Sequence, residues 1–353
     1  MNKFKLFLLL GIILSSFFAS AEDYFWVGGQ GFWSDLNSWR TITGQIPNEV
    51  PDASDNVIFN ENSFIAPFDT VFIMTGNPTC NNFTVQNIQD TIVFVGGSNT
   101  STFTVYGSWT MHPKVRNEYM GKIKFTSGQM GNTITCAGAR FPGDIWFEGT
   151  GEWILQDTLF VYDSTDWKYI LGNMMDDPYD PPTLPNPLII HNNGRLDANG
   201  QTIICRGFAT IGNKEREFDF ENSHALMVGA WTLSAENLTF NGNNSFILLG
   251  GTGEMNNFNG DDIYYNDINL YWPDGGIKNT SIRTHMRRVE FFGGGALDGK
   301  KTAGQLGMFT IDSLFMSGAV TMSGIIGNSI NAHYSDIHYT LFKLTYSEIF
   351  GNN

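Results

Sequence analysis

The chain is built from short runs in which apolar and polar residues alternate, cut off at close intervals by glycine and asparagine. Residues 70–74, 91–95, 102–106, 122–126, 133–136, 201–205 and 245–249 are such runs, rich in Thr, Val, Ile and Phe. A period of two places every second side chain on one face, the pattern of a half-buried strand rather than of an amphipathic helix. Gly and Asn tolerate positive φ, so the residues between the runs close tight turns at little steric cost. The sequence therefore predicts an all-β fold. The best helical candidate is residues 335–350, free of Gly and Pro, but its Tyr, Thr and Phe suit a strand equally well.

A degenerate unit recurs within this pattern: a small polar residue, an apolar one, any residue, an apolar one, and usually Gly soon after. It stands at residues 82–85, 144–149, 237–242, 267–270 and 313–318. The last three begin 30 and 46 residues apart, near one and two multiples of a coil of about 20–30 residues. The expected architecture is a parallel β-solenoid, a right-handed β-helix, in which like positions stack coil upon coil. A pair of β-sandwiches is the rival, since strands every 8–12 residues or so suit both. The even spread of Gly and Asn, the recurring unit and the absence of a clear linker favour the solenoid. Residues 174–187 break the pattern with five of the 12 prolines, which cannot donate to a sheet ladder. They are expected to form an exposed loop between coils or a boundary between two β-regions.

Residues 1–21 read as a signal peptide. Lys3 and Lys5 open it, an apolar run follows, and Ala19, Ser20 and Ala21 form a small-residue cleavage site. Cleavage is expected before Glu22, giving a secreted, soluble chain. The formal net charge is −15, with 20 Lys and Arg against 35 Asp and Glu. That balance opposes binding to phosphate backbones and to anionic lipid, so neither a nucleic-acid partner nor direct membrane insertion is expected. Cys80, Cys136 and Cys205 form no CxxC or Cys/His cluster, and their odd number leaves at least one thiol outside any intrachain disulfide. They read best as small buried strand residues.

Residues 22–69 carry the densest aromatic block. Trp26, Trp33 and Trp39, with Phe25 and Phe32, surround Gly28, Gly29 and Gly31. Exposed, these tryptophans would make a platform for sugar rings. Buried, they would cap the open apolar end of the solenoid expected over residues 70–353, and the cap is the preferred reading. The glycines do not have the spacing of a dinucleotide fingerprint. Asp261 and Asp262 superficially resemble the paired aspartates of pectin-degrading hydrolases, but the accompanying Gly-His-Gly and Arg-Ile-Lys segments are missing, and a turn is the simpler account. The six histidines form no motif, and neither GxSxG nor HExxH occurs. No enzyme activity is expected. No cofactor is expected either, Ca2+ being the one cation considered, with Asp176, Asp177 and Asp180 as hard oxygen ligands in one loop.

The opening from Tyr24 to Trp39, with residues 51–59 after it, resembles the N-terminus of large secreted surface proteins of gliding and related Bacteroidetes. The resemblance implies export through the type IX secretion system and a role as an adhesin in gliding motility, with surface glycans or other cell-surface proteins as partners. It also gives meaning to a tripeptide of Asp, then Ser or Thr, then an apolar residue or Thr. This places Thr70, Thr91, Thr158, Ser164 and Ser313 in a pattern that resembles the O-glycosylation motif of that lineage. The alternative is that such tripeptides simply begin strands. Two other functions fit the sequence: a carbohydrate-binding module using the tryptophans, and a polysaccharide-degrading β-helix enzyme using a carboxylate pair. Residues 336–342 still read as strand and residues 351–353 as a turn, so further β-repeats are expected beyond Asn353.

Overall fold

The computed structural model describes residues 21–74, 76–162, 188–250 and 253–271, with shorter stretches between 275 and 344. Among these residues the regular structure is almost entirely strand, with one 3-10 turn at Leu36–Ser38 started by the Asp35 side chain, which accepts from the Asn37 N–H. The strands coil into a parallel β-solenoid of about ten turns. Its first face is a ten-stranded sheet from Asp23–Trp26 to Leu238–Asn241. The third is a twelve-stranded sheet from Thr79–Cys80 to Phe342–Leu344. The second comprises a four-stranded and a seven-stranded sheet. Arg140 makes an isolated parallel bridge to Phe160 of the seven-stranded sheet, and its carbonyl accepts from Asn117 of the four-stranded one. At roughly 4.8 Å per strand, the twelve-stranded sheet extends about 50 Å along the axis.

The alternation read from the sequence appears directly as burial. In Thr70–Ile73, Val71 and Ile73 point inward while Thr70 and Phe72 are half-buried. The inward residues of all three faces merge into one continuous core. Parallel stacking brings like residues together from coil to coil. Phe83 stacks on Trp109 with ring centroids 4.0 Å apart, Phe125 on Phe147 at 5.3 Å and Phe208 on Trp231 at 4.9 Å, while Phe208 also meets Phe218 of the first face across the core at 4.7 Å. Offset or tilted aromatic contacts of this kind add to the burial of the rings themselves.

Polar residues form ladders where the chain turns. Asn56 donates to Asp23 at 2.8 Å, and Asn82 donates to Asn56 at 2.8 Å across 26 residues. The Ser108 N–H then donates to Asn82, and the Thr133 N–H to Ser108. A second corner is held by Asn199, Asn222 and Asn244, all at φ between 50° and 55°, where asparagine is one of the few tolerated side chains. Asn244 donates to Asn222, 22 residues earlier, at 3.3 Å. The coil is thus 26 residues long at the first ladder and 22 at the second.

The stacked architecture already begins within residues 22–69, since Asp23–Trp26 pairs in parallel with Asn56–Phe59. Trp39–Arg40 folds back antiparallel on the outer edge of Asp23–Trp26 and ends the sheet there. The proline-rich residues 174–187 lie outside the described residues. The ladder continues across that interval, because Phe147 pairs directly with His191 and Ile154 with Asp197. The recurring unit proves to be shared by all three faces: residues 144–149 lie on the third, 237–242 on the first, and 267–270 and 313–317 on the second. Asp267 and Ser313 are two coils apart in one column, with Arg288 between them, whereas Asn237 belongs to another column.

Candidate functional site

The outward positions of the first face follow from the same alternation. In Glu152–Leu155, Gly194–Asp197, Arg216–Asp219 and Leu238–Asn241, the inward residues are Trp153, Leu196, Phe218 and the half-buried Phe240. The residues flanking them stack into two columns on the outside: Glu152, Arg195, Glu217 and Thr239, and beside it Ile154, Asp197, Asp219 and Asn241. Arg195 is the centre. Its Nε lies 3.2 Å from Glu152 and 3.5 Å from Glu217, and a terminal nitrogen lies 3.3 Å from Asp197 and 3.2 Å from Asp219. One guanidinium therefore sits among four carboxylates drawn from three successive coils.

Partial burial and the neighbouring carboxylates Asp219 and Glu152 push the Asp197 carboxyl upward, against the hydrogen bond from the Asn199 N–H and the charge of Arg195; burial is the largest influence. Beneath this surface lies Arg216, which is buried and has no carboxylate in contact. It donates to Thr210 Oγ1 at 2.9 Å, to the carbonyls of Gly212 and Ser234 at 3.0 Å, and to those of Lys214 and Glu236. Burial pushes its ionisation down, but five acceptors hold the charged form in place. Arg195, Glu217, Asn193, Thr150 and Met130 line an open groove of about 600 Å³ at this edge. Chemically, the surface presents carboxylate and amide oxygens in fixed positions over several coils, able to accept from hydroxyl or amide donors. Among the described residues no three His, Cys, Asp or Glu side chains are placed to hold a metal ion.

The residues singled out from the sequence are placed differently. Trp26, Trp33 and Trp39 are buried, at 0%, 4% and 0% exposure, and pack edge to face at 5.0 and 4.9 Å. Trp26 Nε1 donates to the Gly29 carbonyl and Trp39 Nε1 to that of Trp33. This corrects the exposed-tryptophan platform: the glycine-bent segment turns its rings into the end of the core, where burying them removes apolar surface from water. Only Phe32 of the block is substantially exposed, lying against Phe72. Asp261 and Asp262 follow a bend at Gly260 and diverge. Asp261 lines the groove beside Arg195, while Asp262 reaches His285 Nε2 at 3.2 Å.

Asp176, Asp177, Asp180 and Ser164 lie outside the described residues, as do residues 1–20. Thr70, Thr91, Thr158 and Ser313 are half-buried at the surface, and the Thr70 hydroxyl donates to the Phe68 carbonyl. Two of the preceding aspartates accept from backbone: Asp69 closes its own turn on the N–H groups of Ile65 and Ala66, and Asp157 reaches those of Cys136 and Ala137 in the preceding coil. Cys80, Cys136 and Cys205 are free and buried, and burial raises their thiols well above the usual range.

Sequence reasoning did not pick out the Arg195 cluster, although a signal for it existed. The triplets Glu-Trp-Ile, Arg-Leu-Asp, Glu-Phe-Asp and Thr-Phe-Asn, beginning at residues 152, 195, 217 and 239, align once the coil length is known. Compared with models of known families, with characterised proteins and with solved structures, the chain matches none.

Proposed function

We propose that this chain is a structural and adhesive module of a secreted bacterial cell-surface protein, exported by type IX secretion and serving attachment or gliding. The β-solenoid fold fits a structural or adhesive module. The observation that carries the reading is the stack itself. Each coil is held by its neighbours above and below, and the outward columns present long, regular polar surfaces rather than one enclosed cavity. Such a body spans distance and offers repeated contact points, which is what gripping a surface requires.

The signal-like residues 1–21 and the Trp/Gly block from Tyr24 to Trp39 support export and a surface location. The partners in this reading are surface glycans or other cell-surface proteins, and the chain performs no turnover. Thr70, Thr91, Thr158 and Ser313 are candidate O-glycosylation positions in the same reading, and Ser164 is a fifth.

Comparing source cells that carry or lack the gene tests the proposal. Protease-sensitive protein on intact cells, and loss of attachment or gliding in the deletion strain, are the expected results. A chain that stays intracellular, or a deletion strain that attaches and glides normally, would remove the adhesive reading.

A further inference from the structure

The last coils of the second face differ from the rest. Ile263–Tyr271, Arg283–Phe292 and Met308–Ser317 are nine or ten residues long, where strands elsewhere on this face have five or fewer. Tyr265 pairs with Met286 and Met286 with Ile311, and the next pairs are Asp267 with Arg288 and Arg288 with Ser313. One residue in each strand, Asn266, Arg287 and Asp312, is thereby left without a ladder partner at the same place. The register is the same on both sides of this place, and the in-and-out alternation breaks there, two successive residues of each strand lying outside the core. Stacked in register, these three make a column of polar side chains.

Beside that column, Tyr264 is 60% exposed. One face of its ring lies flat on His285 of the next coil, with centroids 4.3 Å apart and planes 9° from parallel. Tyr264 and His285 together line a cleft of about 360 Å³, with Asn243, Asn266, Arg287 and Asp312 around it. Arg287 is fixed in orientation, its Nε donating to Asn266 Oδ1 at 3.0 Å and a terminal nitrogen to Asp267. His285 is fixed in turn by Asp262. A flat aromatic ring stands next to oriented amide, guanidinium and carboxylate groups, and each arginine nearby is matched by a carboxylate: Arg283 by Asp262, Arg287 by Asp267 and Arg288 by Glu290. The local charge is therefore close to balanced, in a chain whose overall charge repels polyanions.

We propose that this cleft binds a neutral, hydroxyl-rich glycan chain, one sugar ring stacking on Tyr264 and the hydroxyls of that and adjoining sugars bonding to Asn243, Asn266, Arg287 and Asp312. Apolar C–H faces of a pyranose suit the ring, and the surrounding groups supply both donors and acceptors for hydroxyls. The site lies far along the chain from the tryptophans of the N-terminal block. The proposal rests on the adhesive reading and gives it a contact point.

Affinity electrophoresis of the exported chain through gels containing a soluble β-glucan, a mannan or a polyuronate tests it. At least one neutral polymer should retard the wild type, with little effect of added salt. Tyr264→Ala should weaken that retardation about tenfold, as expected for loss of one stacking contact, and Tyr264→Trp should preserve it. Circular dichroism should be unchanged, because Tyr264 is exposed. Equal retardation of wild type and Tyr264→Ala, no retardation by either neutral polymer, or binding only to the polyuronate with loss in salt would each overturn the proposal. Beads coated with the chain separate the two readings. Attachment to cell surfaces that persists in Tyr264→Ala removes this site and leaves adhesion standing, whereas beads that never attach remove adhesion itself.

Discussion

Replacing Phe147 by Ala probes the stacked core at a point where its cost can be worked out. Phe147 is fully buried on the third face. Its ring stacks on Phe125 at 5.3 Å and meets Trp153 at 5.8 Å and His191 at 6.4 Å. Losing the transfer free energy of the ring costs about 2 kcal/mol. The cavity left among partners fixed by three sheets adds about 1–2 kcal/mol, because the ladders resist collapse. Lost ring contacts add about 0.5–1 kcal/mol, giving a total of about 4 kcal/mol. Phe240 is a built-in comparison. It is only half-buried at the edge of the core, touching Phe218 and Tyr265, so Phe240→Ala should cost about half as much. Urea unfolding followed by tryptophan fluorescence gives both values, provided the slope of the transition is unchanged. Hydrogen exchange should show lost protection in the strands holding Phe125 and His191 before more distant coils. A loss below about 1 kcal/mol for Phe147→Ala, or equal losses for the two variants, would refute the assignment of Phe147 to the stacked core.

Other positions give sharp expectations. His191 is fully buried, and burial above all pushes its ionisation down to about 4 from an ordinary 6.5, the hydrogen bond to the Gly194 carbonyl opposing and the charge of Arg216 adding to the shift. The unfolded chain gains this proton near pH 6.5 while the folded chain refuses it, so stability falls as pH drops from there toward 4, by about 3 kcal/mol from this group. Urea midpoints measured between about pH 7 and pH 4 should show that loss in the wild type and a smaller one in His191→Gln, and parallel profiles would count against it. Gly194 has φ +73°, and a Cβ there would press on the carbonyl oxygens of Gly149 and Gly151 in the preceding coil. Gly194→Ala should therefore lower stability by about 2–3 kcal/mol, and an unchanged melting temperature would show that the coils can part at that point.

The fold was legible because each strand carries its own signature. The run at residues 70–74 alternates, ends at Gly76 and becomes a strand at Thr70–Ile73, and the other alternating runs behave alike. The coil period was harder to read, since one local unit serves three faces. The 46 residues from Asp267 to Ser313 span two coils of one column, but the 30 residues from Asn237 to Asp267 cross from the first face to the second. The fate of the tryptophans depended on which way a glycine-bent segment turns, and their spacing carries no such information. Arg195 and its carboxylates come from strands as much as 43 residues apart, so their meeting is a consequence of register alone. The Tyr264 cleft was hidden for a related reason: Asn266, Arg287 and Asp312 line up only through the register of three strands, at offsets of 21 and 25 residues.

The proposed role, gripping surfaces without altering them, has a direct test. Beads coated with residues 22–353 can be held under flow on immobilised cell-surface polysaccharide while the outflow is assayed for reducing and unsaturated sugar ends. The account predicts reversible attachment, lost when the coated chain is unfolded, with no rise in released ends. Released ends that increase with time, and that disappear when the Asp197 or Asp219 carboxyl is replaced by an amide, would contradict it and make the Arg195 groove a catalytic one.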